Sequence, residues 1–159
     1  VNPVLKDGSV SQKGLPLMAI ASLGTVKAFS LSAHIFEALD TGATLMLDEL
    51  DSRLHPLLTR EIIRLFNSAE TNPRNAQLVF NTHDTNLLGV RVYDAKTGKR
   101  VYLLRRDEIY FVEKNGEMCS KIYSLIDFKK DGLSVRKDAS YEKDYLSGLY
   151  GAIPYIGKL

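Results

Sequence analysis

The 159-residue chain holds a single cysteine, Cys119. That excludes a disulfide framework within the chain and argues against a cysteine-rich zinc site. Charge of one sign is also lacking. Lys and Arg number 21 against 19 Asp and Glu, a formal charge of +2, too weak a global field to point to nucleic acid. No apolar run approaches the ~20 residues that cross a bilayer. The start, Val1-Asn2-Pro3, has neither an initiator Met nor a signal-peptide layout, so the expectation is a cytoplasmic protein represented by a fragment. Internal repeats and low-complexity segments are missing too. What is present, 45% hydrophobic and 25% charged residues, fits a folded chain of one domain or part of a larger one.

Residues 1–14 are polar and irregular. The stretch after them has a helical period. Leu31, Ile35, Ala38 and Leu39 share one side, and Phe29, Ala33 and Phe36 broaden the apolar face. Ser22 is placed to cap this helix and Gly42 to end it. Ala43 to Leu47 is a short unbroken apolar run, the pattern of a strand buried on both faces of a parallel sheet. Residues 57–69 are helical, with Leu58, Ile62, Leu65 and Phe66 in phase and Pro56 at the start. Leu78 to Phe80 form a second short strand, which completes a βαβ unit. Beyond about residue 90 the texture changes. Val101 to Leu104, Glu108 to Glu113 and Cys119 to Leu125 are expected strands, Asn115-Gly116 is a hairpin turn, and the tail from Asp131 has no clear period.

Chemistry concentrates at the two strand ends. Asp48-Glu49 closes the first strand and Asn81-Thr82-His83-Asp84 the second. Ligands of open α/β sheets sit in the crevice beyond the C-terminal strand ends. A carboxylate there can hold Mg²⁺, directly or through water, and a second can activate a water for attack on a γ-phosphate. The expected roles are Asp48 for the metal and Glu49 for the water. Side chains alternate along a strand end, so the two carboxylates need not share one task. Neighbouring parallel strands bring His83 to the same edge as Glu49, where an imidazole can contact a γ-phosphate or hold the water in line. Ala21-Ser22-Leu23-Gly24-Thr25, just before the long helix, combines small residues with a helix start that suits phosphate oxygens. An ordinary capped helix is the alternative. A phosphate-cradling GxxxxGK(S/T) loop occurs nowhere in the chain.

Together these pieces resemble the C-terminal part of an ABC-type ATPase head of the soluble RecF- and SMC-like branch. Within it they look like bacterial AAA-family ATPases of phage defence and abortive infection. Residues 21–25 look like the signature motif and Leu45 to Glu49 like Walker B with its glutamate. Leu50-Asp51-Ser52 looks like the D-loop, and residues 81–84 look like the histidine switch. The likeness spans roughly residues 15–90. Residues 104–116 and 145–156 also look like the C-terminal part of the defence-associated branch. The resemblance implies an α/β fold: a partial P-loop NTPase lobe (residues 1–90) with parallel strands and flanking helices. A small β-rich, hairpin-containing extension (91–159) packed on that head would follow. It further implies ATP and Mg²⁺ as cofactors and a homodimer joined through its heads. Ser22, Gly24 and Thr25 would contact nucleotide in trans and Asp51 would sit between the heads. Asp48 would hold Mg²⁺ through water, Glu49 would be the general base and His83 would contact the γ-phosphate. Leu23 stands where a second Gly is common, and Val26 rather than Gln follows Thr25, which departs from the transporter form. The Walker A segment and an insertion domain would precede Val1.

Two other functions compete with an ATP-hydrolysing defence or DNA-maintenance head. One is a non-catalytic interaction domain that keeps the lobe without the reaction. The other is a metal-dependent nuclease built from Asp48, Glu49, Asp51, His55 and His83. Arg105, Arg106, Lys129, Lys130, Arg136 and Lys137 offer contacts to nucleic acid or an effector protein. They are interleaved with Asp107, Glu108, Asp127, Asp131 and Asp138, which favours a solvated surface.

Overall fold

A computed structural model of the chain describes residues 1–2, 4–94, 97–114, 119–130 and 132–153. The expected Asn115-Gly116 turn lies outside the described residues. The chain divides into two compact units, Val1–His83 and Asp84–Leu159.

The first unit is a small α/β body. A short helix α1 (Leu17–Ile20) leads to α2 (Leu23–Thr41), β1 (Thr44–Leu47), α3 (Pro56–Asn67) and β2 (Gln77–Phe80). The two strands pair in parallel, Thr44 opposite Gln77 through Leu47 opposite Phe80, with α3 as the crossover. Helix α2 packs against β1 and α3 against β2. The buried side of α2 consists of Ile35, Ala38 and Leu39, and that of α3 of Thr59, Ile62, Ile63 and Phe66. Pro56 occupies the first turn of α3, where its missing N–H leaves no bond unmade.

Both ends of α2 follow their sequence signals. Ser22 Oγ accepts the Thr25 N–H at 3.1 Å, satisfying one of the free donors of the helix start. Gly42 closes the helix at φ 74°. A Cβ at Gly42 would also lie 2.7 Å from the Arg74 carbonyl oxygen, so both backbone conformation and close approach require glycine there. Behind it, Asn72 is buried in the α3–β2 connection. Its side-chain amide donates to the Phe66 and Ala76 carbonyls at 2.8 Å each and accepts the Ala76 N–H at 2.7 Å. One polar side chain thus replaces the backbone bonds that the turn lacks.

Several sequence expectations fail in this unit. The strands are not buried on both faces: Met46 is 75% exposed and Val79 48%. The burial alternates along both strands, half-buried at Leu45, Leu47, Leu78 and Phe80 and exposed between them, so among the described residues only one face is covered. Phe29 and Phe36 are exposed rather than widening the buried face of α2, as is Ala33. In α3, Leu58 is exposed and Leu65 only half-buried; Ile63 and Thr59 take the inner positions.

The second unit is built from antiparallel pairs. A 3₁₀ turn (Thr85–Leu88) precedes β3 (Arg91–Asp94), β4 (Lys99–Tyr102), β5 (Tyr110–Lys114), β6 (Ser120–Ser124), β7 (Lys129–Lys130), β8 (Leu133–Ser134) and α4 (Tyr141–Leu146). Strand β3 pairs with β4, β5 with β6 and β7 with β8. The expected strand at 101–104 ends at Tyr102, because Leu103 turns inward into a bend. Strand β3 and helix α4 were not expected from the pattern. The core is Ile109, Phe111, Leu125, Tyr141 and Tyr150, with Tyr102, Tyr123, Tyr145 and Phe128 packed against it. Phe111 stacks on Tyr145 at 5.3 Å and on Tyr150 at 5.6 Å between centroids. Among the described residues, no helix is long and apolar enough to cross a membrane.

Candidate functional site

Equal strand lengths and an in-register parallel pairing end β1 and β2 at the same level. The residues that follow therefore emerge side by side. Asn81 closes the gap between them. Its backbone N–H donates to Leu47 O at 3.4 Å, and its carbonyl accepts the Leu50 N–H at 3.2 Å. Its side chain works in both directions. Nδ2 donates to Asp48 Oδ1 at 2.7 Å, and Oδ1 accepts the Glu49 N–H. Asn81 thus clips the acidic pair to the neighbouring strand. It went without a role in the sequence reading, although the parallel register that places His83 near Glu49 also sets Asn81 opposite Asp48.

The chain turns sharply at the acidic pair. Glu49 has φ 47° and Arg53 φ 61°, a left-handed conformation that costs a non-glycine residue about 1–2 kcal/mol. This turn sends the Asp48 and Glu49 side chains to different partners. Asp48 meets Asn81. Glu49 Oε1 lies 3.9 Å from His83 Nε2, both side chains being exposed. That is too long for a direct hydrogen bond and short enough for one water to lie within reach of both groups. Leu50, fully buried, anchors the turn from below.

The start of α2 packs onto the same turn. A Cβ at Gly24 would stand 2.6 Å from the Arg53 carbonyl oxygen, so glycine permits the contact. Lys27, half-buried, sends its ammonium to the carbonyls of Glu49 at 2.9 Å and Ser52 at 2.7 Å. No sequence pattern pairs a lysine with backbone carbonyls 22 to 25 positions away, and this contact was missed. The Ser22 hydroxyl caps α2 and shares a bond of 2.9 Å with Thr25 Oγ1; the two hydroxyls are engaged with each other at the helix start. Asp51 is half-buried, and its Oδ1 is shielded from solvent without a hydrogen bond among the described residues.

The residues proposed for metal chemistry are not gathered. Among the described residues, no group of three or more His, Cys, Asp or Glu is arranged to hold a metal ion. His55 caps α3 instead, its Nδ1 accepting the Leu57 N–H at 3.2 Å. This weakens the five-residue nuclease site. Asp48 keeps one carboxylate oxygen fixed by Asn81 and its side chain exposed at the strand end.

In the second unit Arg105, Arg106 and Arg136 are occupied locally. Arg105 pairs with Asp107 at 2.9 Å and Glu108 at 2.7 Å, and Arg136 with Asp138 at 2.9 Å. The arginine hydrogen bonds hold the Asp107 and Asp138 carboxyls below the usual range. Arg106 donates to the Val135 carbonyl. A solvated, self-paired surface describes these arginines better than a basic patch.

Residues 11–89 are similar to a known family. The matching family model is described as "AAA domain, putative AbiEii toxin, Type IV TA system". No curated protein and no solved structure matches the chain. The likeness links the chain to an AAA-type, ATPase-like domain and covers both strand tips, the turn between them and the start of α2. It reaches no further than the beginning of the second unit.

Proposed function

We propose that Val1–His83 is the C-terminal lobe of a nucleotide-hydrolysing ABC-type head, with Glu49 as the general base. The observation that carries this reading is the meeting of Glu49 and His83 at 3.9 Å on the edge where Asn81 holds Asp48. In this reading Glu49 accepts the proton of the attacking water and His83 contacts the γ-phosphate, holding the water in line. Asp48 orients the metal's water shell; Mg²⁺, when bound with ATP, neutralises phosphate charge. Ser22, Gly24 and Thr25 face the nucleotide of a second head in a homodimer, which requires the Ser22–Thr25 hydroxyl pair to open. Asp51 lies at the head–head interface, where a donor from the second copy would satisfy its bare oxygen. The wider role is that of a defence or DNA-maintenance ATPase. The family description, with its toxin and Type IV TA terms, supports the defence side.

A second reading has its own support. The 159 residues contain no GxxxxGK(S/T), and no three-ligand cluster lies among the described residues. Both fit an interaction domain that keeps the lobe without the chemistry, and both readings agree that these residues alone do not turn over ATP.

The deciding experiment measures ATP binding and turnover in a protein that joins this chain to a phosphate cradle. The catalytic reading expects Glu49→Gln to lower kcat by about 10²–10⁴-fold with ATP binding retained. Turnover unchanged by Glu49→Gln removes Glu49 from the reaction. Binding without turnover in the unmodified protein establishes the interaction domain.

A further inference from the structure

We infer that Lys27 is a positioning residue for Glu49, a latch that ties the start of α2 to the acidic turn. Three carbonyl oxygens converge on its ammonium: Glu49 at 2.9 Å, Leu50 at 3.5 Å and Ser52 at 2.7 Å. An ammonium has three donors, and here three carbonyls of one turn surround it. This is the turn in which Glu49 and Arg53 hold left-handed φ values without being glycine. Such a conformation persists only where the surroundings over-determine it. The lysine charge supplies that constraint on one side, Asn81 on the other, and the Gly24–Arg53 approach closes the third. The geometry has a directional consequence. Lys27 and Ser22–Thr25 share the start of one continuous helix, so a displacement of that start by a ligand would be passed to the Glu49 carbonyl. Ligand contact at residues 22–25 and the orientation of the Glu49 carboxylate are thereby coupled through one side chain. The catalytic meaning of this coupling rests on the ATPase reading; the latch itself does not.

The test uses the 159-residue chain in solution. In Lys27→Met, the amides of Leu50, Ser52 and Leu54, each bonded within the turn or to Asn81, should exchange with solvent at least about tenfold faster. The amides of α3 should keep their protection. The nuclear Overhauser contact between the Glu49 side chain and the His83 ring should be lost in the folded protein. A lysine that merely stabilised the unit would lower its melting temperature and leave that contact intact. Should Lys27→Met not fold, the unmodified chain still decides. The Lys27 ammonium protons should exchange more slowly than those of the exposed lysines, and equal exchange overturns the latch. A retained Glu49–His83 contact in folded Lys27→Met overturns the positioning role. Unchanged turnover in Glu49→Gln would instead count against the ATPase reading and leave these measurements standing.

Discussion

The two units solve the same problem, organising a small chain around few apolar residues, in opposite ways. Asp84–Leu159 gathers Phe111, Tyr141 and Tyr150 into its core, leaves Tyr93 and Tyr110 exposed, and gives the hydroxyls of the core tyrosines and their neighbours a partner. Tyr102 donates to Ala139 O at 2.8 Å, Tyr141 to Lys137 O at 3.0 Å, Tyr145 to Ala152 O at 3.0 Å and Tyr150 to Asp144 at 3.1 Å. Its Arg105 and Arg136 pair with neighbouring carboxylates. Val1–His83 leaves Phe29, Phe36, Met46 and Val79 exposed, and its Asp51 has a carboxylate oxygen with no hydrogen bond among the described residues. Its polar side chains are spent on holding a bent, strained turn instead. The contrast lies in where polar side chains go: in the second unit to tyrosine hydroxyls and arginine–carboxylate pairs, in the first to the backbone of one turn. Exposed apolar side chains and unpaired polar atoms are costs to folding; exposed apolar residues occur in both units, Val112, Ile122 and Leu133 among them in the second.

That contrast can be broken at its strongest point first. Phe111→Ala removes the ring at the centre of the aromatic core, where Phe111 is 7% exposed. The second unit should lose about 3–5 kcal/mol, read by urea unfolding, while amide protection in α3 stays as it was. Loss of protection in both units together would show that they do not behave separately. Next comes Gly24→Ala. The added methyl meets the Arg53 carbonyl at 2.6 Å, a backbone atom that cannot swing aside, and a cost of about 1–3 kcal/mol is expected. The amides of the acidic turn should lose protection with it. An alkaline titration sharpens the other side. Burial first, then the Asp144 hydrogen bond, raise the Tyr150 hydroxyl above its ordinary value of 10.0. A raised folded value means that its contribution is complete below pH 10 and is lost as the pH climbs through the folded value. Stability of the second unit should therefore fall above pH 10, by up to about 1.4 kcal/mol per pH unit from this group. Tyr150→Phe should make the fall shallower; Tyr123 and Tyr141, also raised by burial, keep some slope. The smallest effect is expected at Met46→Ser. With the side chain 75% exposed, unfolding of the chain should shift by less than about 0.5 kcal/mol. A cost above 2 kcal/mol would mean that this sheet face is covered in solution.

The sequence exposed some of this directly. The caps of α2 were legible because Ser22 and Gly42 act through local backbone chemistry. The βαβ order was legible because Pro56 and the two apolar runs punctuate it. From parallel neighbours alone it followed that the two strand tips share an edge, and the in-register pairing bears that out. The errors have one physical source. An apolar run such as Thr44–Leu47 suggests burial on both faces, yet Met46 and Val79 show that one face is open; side-chain type alone does not report what packs against a strand. Phe29 and Phe36 mislead in the same way. In the second unit, Tyr141 and Tyr150 enter the core from a stretch rich in Lys and Asp, where no period marks the inward side. The role of Lys27 escaped notice because its partners are main-chain carbonyls, which are identical at every position and leave no pattern in side-chain types; Asn81 joins the Asp48 carboxylate and the Glu49 N–H across two strands, a pairing set by register and not by local sequence.

The most direct test of the account is a double-mutant cycle on turnover in the protein that joins this chain to a phosphate cradle, comparing Glu49→Gln, His83→Ala and the combination. Groups that act on one water at one phosphate are strongly non-additive. The account predicts that the combined variant is no slower than Glu49→Gln alone. Losses that multiply, each change costing its full factor in the presence of the other, would contradict a shared site at the two strand tips.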